Sequence, residues 1–217
     1  MHRRVPAALM VLLAPLTAAG CAEPVPVPLP CTETIEVDDT PGWVRGSATY
    51  EAPEFPWYSQ QKAETLREAV LDALPSRAEV DQLDFGGLPT GTGNSSIDGS
   101  ATAWSNVETP RGVGSLIMSV QHSTEPIPPC TKGYTLRREQ WPDGTIVEHH
   151  RDEYGTVIDH GVTVYKPDGS RVTARSTNQH TDQDTMTDTF ADQPALSLDE
   201  LTRIATAAGV DAQPVDG

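Results

Sequence analysis

The densest set of chemically capable side chains lies in VEHHRDEYGTVIDH, residues 147–160, which holds His149, His150, Asp152 and His160. Alternation on either side of Tyr154-Gly155-Thr156 predicts a hairpin. A three-residue loop sets His150 opposite His160, and a four-residue loop sets His149 there instead. In either register two imidazoles face each other with Cβ atoms roughly 5 Å apart. Glu148 or Asp152 adds a carboxylate nearby in sequence. Two neutral imidazoles and a carboxylate form a donor set for zinc or copper. The same residues also suit a polar hairpin whose histidines are merely solvated or stacked, and both readings stand.

Other motifs fall short of chemistry. In DQDTMTD, residues 182–188, Asp182, Asp184 and Asp188 have a calcium-loop flavour. The required glycine is missing and Met186 occupies a ligand position, so the EF-hand pattern fails. GGLPTGTGNSS, residues 86–96, contains a GxG but lacks the strand–helix context of a phosphate cradle, and reads as a loop. Ser115 follows Gly-Val-Gly with no base placed beside it. The sequence contains no G-x-S-x-G, H-E-x-x-H or C-x-x-C motif. No catalytic residue is predicted and no cofactor is called for.

The three cysteines, Cys21, Cys31 and Cys130, carry a different kind of chemistry. An odd count in an exported chain normally leaves one thiol over. The N-terminus, MHRRVPAALMVLLAPLTAAGC, has a short basic start, an apolar run and small residues before Cys21. This is the layout of a secretory signal peptide, and the run is too short to span a bilayer. The ending LTAAGC resembles the lipobox of bacterial lipoproteins, with Ala18 where leucine is commonest. That resemblance implies cleavage after residue 20 and lipidation of Cys21; a plain signal peptide leaving a soluble exported protein, or a retained membrane helix, is the alternative. With Cys21 used by lipid, Cys31 and Cys130 are left to pair in an oxidising compartment. Such a bridge closes about 100 residues and contributes up to roughly 4–5 kcal/mol in the chain-entropy picture.

Charge points the same way. The chain carries a net charge of −16, and residues 1–20 hold two arginines and no acid, so the remainder is more acidic still. Such a body repels nucleic acid phosphates and gains nothing from an anionic leaflet. Only a hydrophobic attachment holds it at a membrane, and a two-chain lipid on Cys21 meets the need for more than one acyl chain. After Cys21 comes AEPVPVPLP, where proline recurs every second residue. This predicts an extended tether reaching about 28 Å as polyproline II. The organisation expected is therefore a signal peptide over 1–20, a lipidated cysteine and tether over 21–30, and a single domain over 31–217.

Within that domain, TIEV and GWVRGSATY are candidate strands. Residues 59–74 have helical apolar spacing at Ala63, Leu66, Val70, Ala73 and Leu74, a Ser59 cap and a Pro75 stop. Its Lys62, Arg67 and Asp72 are expected to face water. Period-two patterning then runs from 80 to 178, punctuated by TPRGVG and by two Pro-Asp-Gly turns 25 residues apart. LSLDELTRIATAAG carries the Ser197–Glu200 capping box and an apolar stripe. These elements predict an α+β domain, an antiparallel meander of five to seven strands with two helices on one face.

The signal and lipobox, the cysteine pair, VTVYKPDGSRV and LSLDELTRIA together resemble uncharacterised surface lipoproteins of actinobacteria, a likeness that implies location and no activity. The function expected is a non-enzymatic, lipid-anchored envelope domain that meets another envelope protein or the cell wall. The alternatives are a carrier of an apolar ligand and a weak metal-binding domain.

Overall fold

The structure is a computed structural model, described at residues 25–32, 34–35, 56–88, 97–182 and 184–215. Cys21, the signal peptide and the candidate strand GWVRGSATY lie outside the described residues. Most of the domain is one antiparallel sheet of nine strands. The hairpin β5 (Ile97–Thr109) and β6 (Gly112–Ser123) forms one part. The meander β8 (Thr135–Gln140), β9 (Ile146–Tyr154), β10 (Val157–Tyr165) and β11 (Ser170–Thr177) forms the other. β11 lies beside β6, so the spatial order is β8-β9-β10-β11-β6-β5. The strand count thus exceeds the five to seven expected, and the meander is interrupted where β11 meets β6.

Turn chemistry explains the hairpins. Gly144 donates its N–H to Trp141 O and Trp141 donates to Thr145 O, with φ of +89° at Gly144. Gly169, Lys166 and Ser170 repeat the pattern, with φ of +85° at Gly169. In each, the aspartate Oδ1 accepts from the N–H two residues on. This is the type I turn with a glycine bulge that Pro-Asp-Gly encodes.

The remaining strands lie at the margins. β3 (Glu79–Val80) and β4 (Gly86–Leu88) both pair with the outer edge of β5. β2 (Thr34–Ile35) runs parallel to β7 (Cys130–Thr131), and β12 (Gln179–Asp182) with β13 (Thr187–Phe190) forms a small hairpin. The opposite edge of the main sheet is β1 (Val27–Leu29), antiparallel to β8. The proline-rich segment expected to be a free tether is therefore partly docked in the sheet. The alternation itself permits this. Between Pro26 and Pro30 the only N–H groups belong to Val27 and Leu29, so these two must face β8. Pro26, Pro28 and Pro30 then fall on the outer edge, where a missing donor costs nothing and further strand pairing is blocked.

Helix α1 spans Gln60–Ala73, with Ser59 Oγ accepting from Lys62 N, and ends before Pro75. Helix α2 spans Leu198–Ala205 with the Ser197–Glu200 capping box fully formed. Lys62 is buried rather than wet. Its ammonium pairs with Asp211 Oδ1 at 2.7 Å, because the C-terminal segment folds back over α1 and supplies the counter-charge. Among the described residues no helix is long and apolar enough to cross a membrane.

Side-chain alternation divides the sheet into two faces. On the core face lie Ala101, Ala103 and Val107 of β5, Leu116, Met118 and Val120 of β6, Val147 of β9, Val162 and Val164 of β10, and Val172 and Ala174 of β11. These form one buried cluster with Leu66 and Val70 of α1 and Leu201, Ile204 and Ala205 of α2. The far face is polar, and the connection from β6 to β8 (residues 124–134) packs across it.

Candidate functional site

The hairpin of β9 and β10 closes through a two-residue turn, Gly155-Thr156, because Tyr154 pairs directly with Val157. Gly155 takes φ of +63°, which such a tight turn favours. The register moves accordingly. His160 faces Arg151, His150 faces Gly161 and His149 faces Val162. The expectation that two imidazoles face each other across this hairpin is thus corrected: a loop one residue shorter than the shorter of the two anticipated lengths shifts every partner. Since His149 and His150 are neighbours on one strand, they also point to opposite faces.

His149 is on the core face and buried. Arg137 Nε donates to its Nδ1 at 3.1 Å, and its Nε2 lies 3.0 Å from Thr202 Oγ1 of α2. Thr202 Oγ1 already donates to Leu198 O. Arg137 Nη2 also lies 3.3 Å from Nε2, so guanidinium donors face both nitrogens of the ring. Burial, reinforced by the Arg137 charge, lowers the pKa of His149 and keeps it neutral. His160 shares that face; burial lowers its pKa, with a backbone hydrogen bond at Leu196 opposing. Asp152 is exposed, and its carboxylate accepts from Glu153 N at 2.9 Å. The four residues read as a metal set are thus spread over two faces and the solvent. Among the described residues no group of three or more His, Cys, Asp or Glu could hold a metal ion.

His150 belongs to a network on the far face that the sequence did not reveal. Its Nε2 bonds Thr163 Oγ1 at 2.8 Å, and that hydroxyl reaches Thr173 Oγ1 at 3.3 Å. Its Nδ1 is 3.6 Å from Glu148 Oε1. Tyr134 stacks on the imidazole with ring centroids 4.7 Å apart. Gly161 makes room for the ring, since a Cβ there would sit 3.2 Å from His150 Cδ2. A glycine inside a strand pattern was the one sequence signal for this close approach.

Glu148 is held from both sides. Thr135 Oγ1 donates to Oε1 at 2.8 Å and Arg138 Nε to Oε2 at 2.7 Å, while Arg138 Nη2 also donates to Pro128 O at 2.8 Å. Nearby, Arg175 pairs with Asp159. Burial first, then the positive charges of Arg175 and its neighbours, pushes the His150 pKa down to about 3.

Glu148, His150 and Thr163 follow the carboxylate–imidazole–hydroxyl order of an acyl-transfer relay. The 3.6 Å gap is beyond hydrogen-bond reach, and His150 and Thr163 are 5% and 4% exposed. Neither lines the cavity of about 240 Å³ on this face. Ser115 is likewise buried and bonds Thr177 Oγ1 at 2.7 Å. In the DQDTMTD stretch, Asp182 Oδ1 accepts from the N–H groups of Asp184 and Thr185 and closes the β12–β13 turn.

The network is fastened by a disulfide between Cys31 and Cys130, with Cα atoms 5.5 Å apart. Thr131 donates its N–H to Thr135 Oγ1, the hydroxyl that in turn binds Glu148. The bridge therefore pins both the chain after β1 and the crossing segment over the polar face. No protein-family model matches this chain, and no curated protein or solved structure does either.

Proposed function

We propose that this protein is an exported, lipid-anchored envelope domain that acts by binding rather than by catalysis. The observation that carries the reading is the Cys31–Cys130 disulfide. It joins positions 99 apart in sequence, of the kind that persists in an oxidising compartment, and it leaves Cys21 as the unpaired cysteine of the three. The lipobox-like LTAAGC and the acidic body supply the rest.

Docking of β1 tightens the anchor. Val25 is four residues from Cys21, so an extended chain gives at most about 14 Å between a lipidated cysteine and the first described residue. The domain then stands close to the bilayer with its β1–β8 edge down. We read both helices as one layer over the core face, which leaves the outer surface of the crossing segment, on the opposite side, for an envelope protein or cell-wall partner. The interior residues Leu116, Met118 and Val120 are fully buried, which favours a surface binder over an internal lipid carrier.

Intact mass of the mature protein from its host, in wild type and Cys21→Ala, tests the anchor. A mature chain starting at Cys21 with diacylglyceryl mass, lost in the variant, is expected. A different N-terminus or an unmodified Cys21 overturns the localisation.

A further inference from the structure

Three arginines project from the far face of the meander: Arg138, Arg171 and Arg175. Arg138 is paired with Glu148 and Arg175 with Asp159. Arg171 has no carboxylate partner among the described residues, and its buried Nε, like that of Arg175, makes no hydrogen bond. A buried N–H left in that condition is costly, because it has lost water without gaining an acceptor.

Arg171 stands in the wall of the cavity of about 240 Å³ between the crossing segment and the β10–β11 turn. Pro126, Ile127, Pro128, Tyr165 and Pro167 supply the rest of the apolar wall. The guanidinium carbon lies 5.3 Å from the Tyr165 ring centroid, so the side chain is held in place before anything binds. The wall also holds Lys166, whose ammonium is committed to Val210 O at 2.6 Å, and exposed Glu125, which makes no ion pair with Arg171.

We propose that this cavity binds a small monocarboxylate with an apolar body, its carboxylate on Arg171 and its body against the proline, isoleucine and tyrosine wall. A carboxylate completes on Arg171 what Glu148 and Asp159 do for the two neighbouring arginines, in the planar geometry a guanidinium favours. The volume is below the roughly 300–1,000 Å³ of sites for larger ligands, so one residue-sized group fits. A highly charged anion is disfavoured, because the chain carries a net −16 and, among the described residues lining the cavity, Arg171 is the one guanidinium that offsets it. The site is independent of whether Cys21 carries lipid.

Two sources share this chemistry, a peptide C-terminus and a free short-chain acid. The full chain is titrated with N-acetyl-alanyl-leucine, with hexanoate, and with the amide of each, following the Arg171 Nε–H resonance by NMR. The acid of at least one pair is expected to shift that resonance and to bind about tenfold or more tightly than its amide, the loss of one charge-assisted contact. Which acid does so identifies the source. Arg171→Gln is expected to erase the acid–amide difference and Arg171→Lys to keep part of it, with thermal melts checking that both fold. Equal or undetectable binding of acid and amide by the wild type, or unchanged discrimination in Arg171→Gln, overturns the site.

Discussion

On its core face the sheet sets Leu116, Met118, Val120, Val162 and Val172 against one another and the helices, all fully buried. On the far face of the same strands Glu148, His150, Asp159 and Thr163 are almost as deeply buried, yet every one is polar. Apolar groups need only shape and exclusion of water, so many side chains would serve on the first face. Polar groups need named partners at bonding distance, so the second face tolerates little change in any member. It also needs a cover, which the crossing segment and the disulfide provide. The two faces should therefore respond differently to perturbation.

The largest effect is expected on the core face. Leu116→Ala should cost up to about 5 kcal/mol by denaturant unfolding, and Leu116→Met under about 1.5. Next, the Cys31→Ser/Cys130→Ser double variant should lose about 2–5 kcal/mol. Its hydrogen exchange should accelerate at Thr131, Tyr134 and Thr135 before it does at Val120 or Val172, since the bridge fastens only the far side.

Glu148→Gln should cost about 3 kcal/mol by leaving Arg138 unpaired, whereas replacing both by leucine and methionine should recover most of it. A core-face double substitution of this kind would show no such recovery, so the pair isolates partnership from shape.

Over the window from pH 7 to 5, the effect of pH is the smallest. The His150 pKa falls from an unfolded value of 6.5 to about 3, so the folded state binds fewer protons between them. This group's contribution is complete above pH 6.5 and is lost as pH falls toward 3, by up to about 1.4 kcal/mol per unit. His149 and His160 shift in the same direction. Unfolding midpoints between pH 7 and 5 should therefore drop in the wild type. His150→Phe, which keeps a ring against Tyr134, should flatten that slope, and an unchanged slope would remove His150 from the account.

Much of the scaffold was legible because it is written in short-range chemistry. Ser59, Pro75 and the Ser197–Glu200 box bound the two helices where their capping atoms dictate. Both Pro-Asp-Gly turns form as encoded. The candidate histidine site was not legible, since one residue of loop length changes every cross-strand partner. Lys62 misled for another reason: its helical position reads as wet, and only the returning C-terminus supplies Asp211. The proline run misled by excess, because alternate prolines suit a free tether and an outer edge strand equally.

The sequence alone determined where chain elements begin and end, which residues alternate toward a core, and that three cysteines allow one pair. These depend on neighbours within a few residues, or on counting. Only the tertiary structure decided which strand lies beside which, and so which face each histidine occupies and which arginine of the far face lacks a carboxylate among the described residues. Partners such as Arg138 with Glu148, or Tyr134 over His150, are set by register and by one long crossing. Neither follows from local preference, because side chains on a strand reverse face with every single-residue shift.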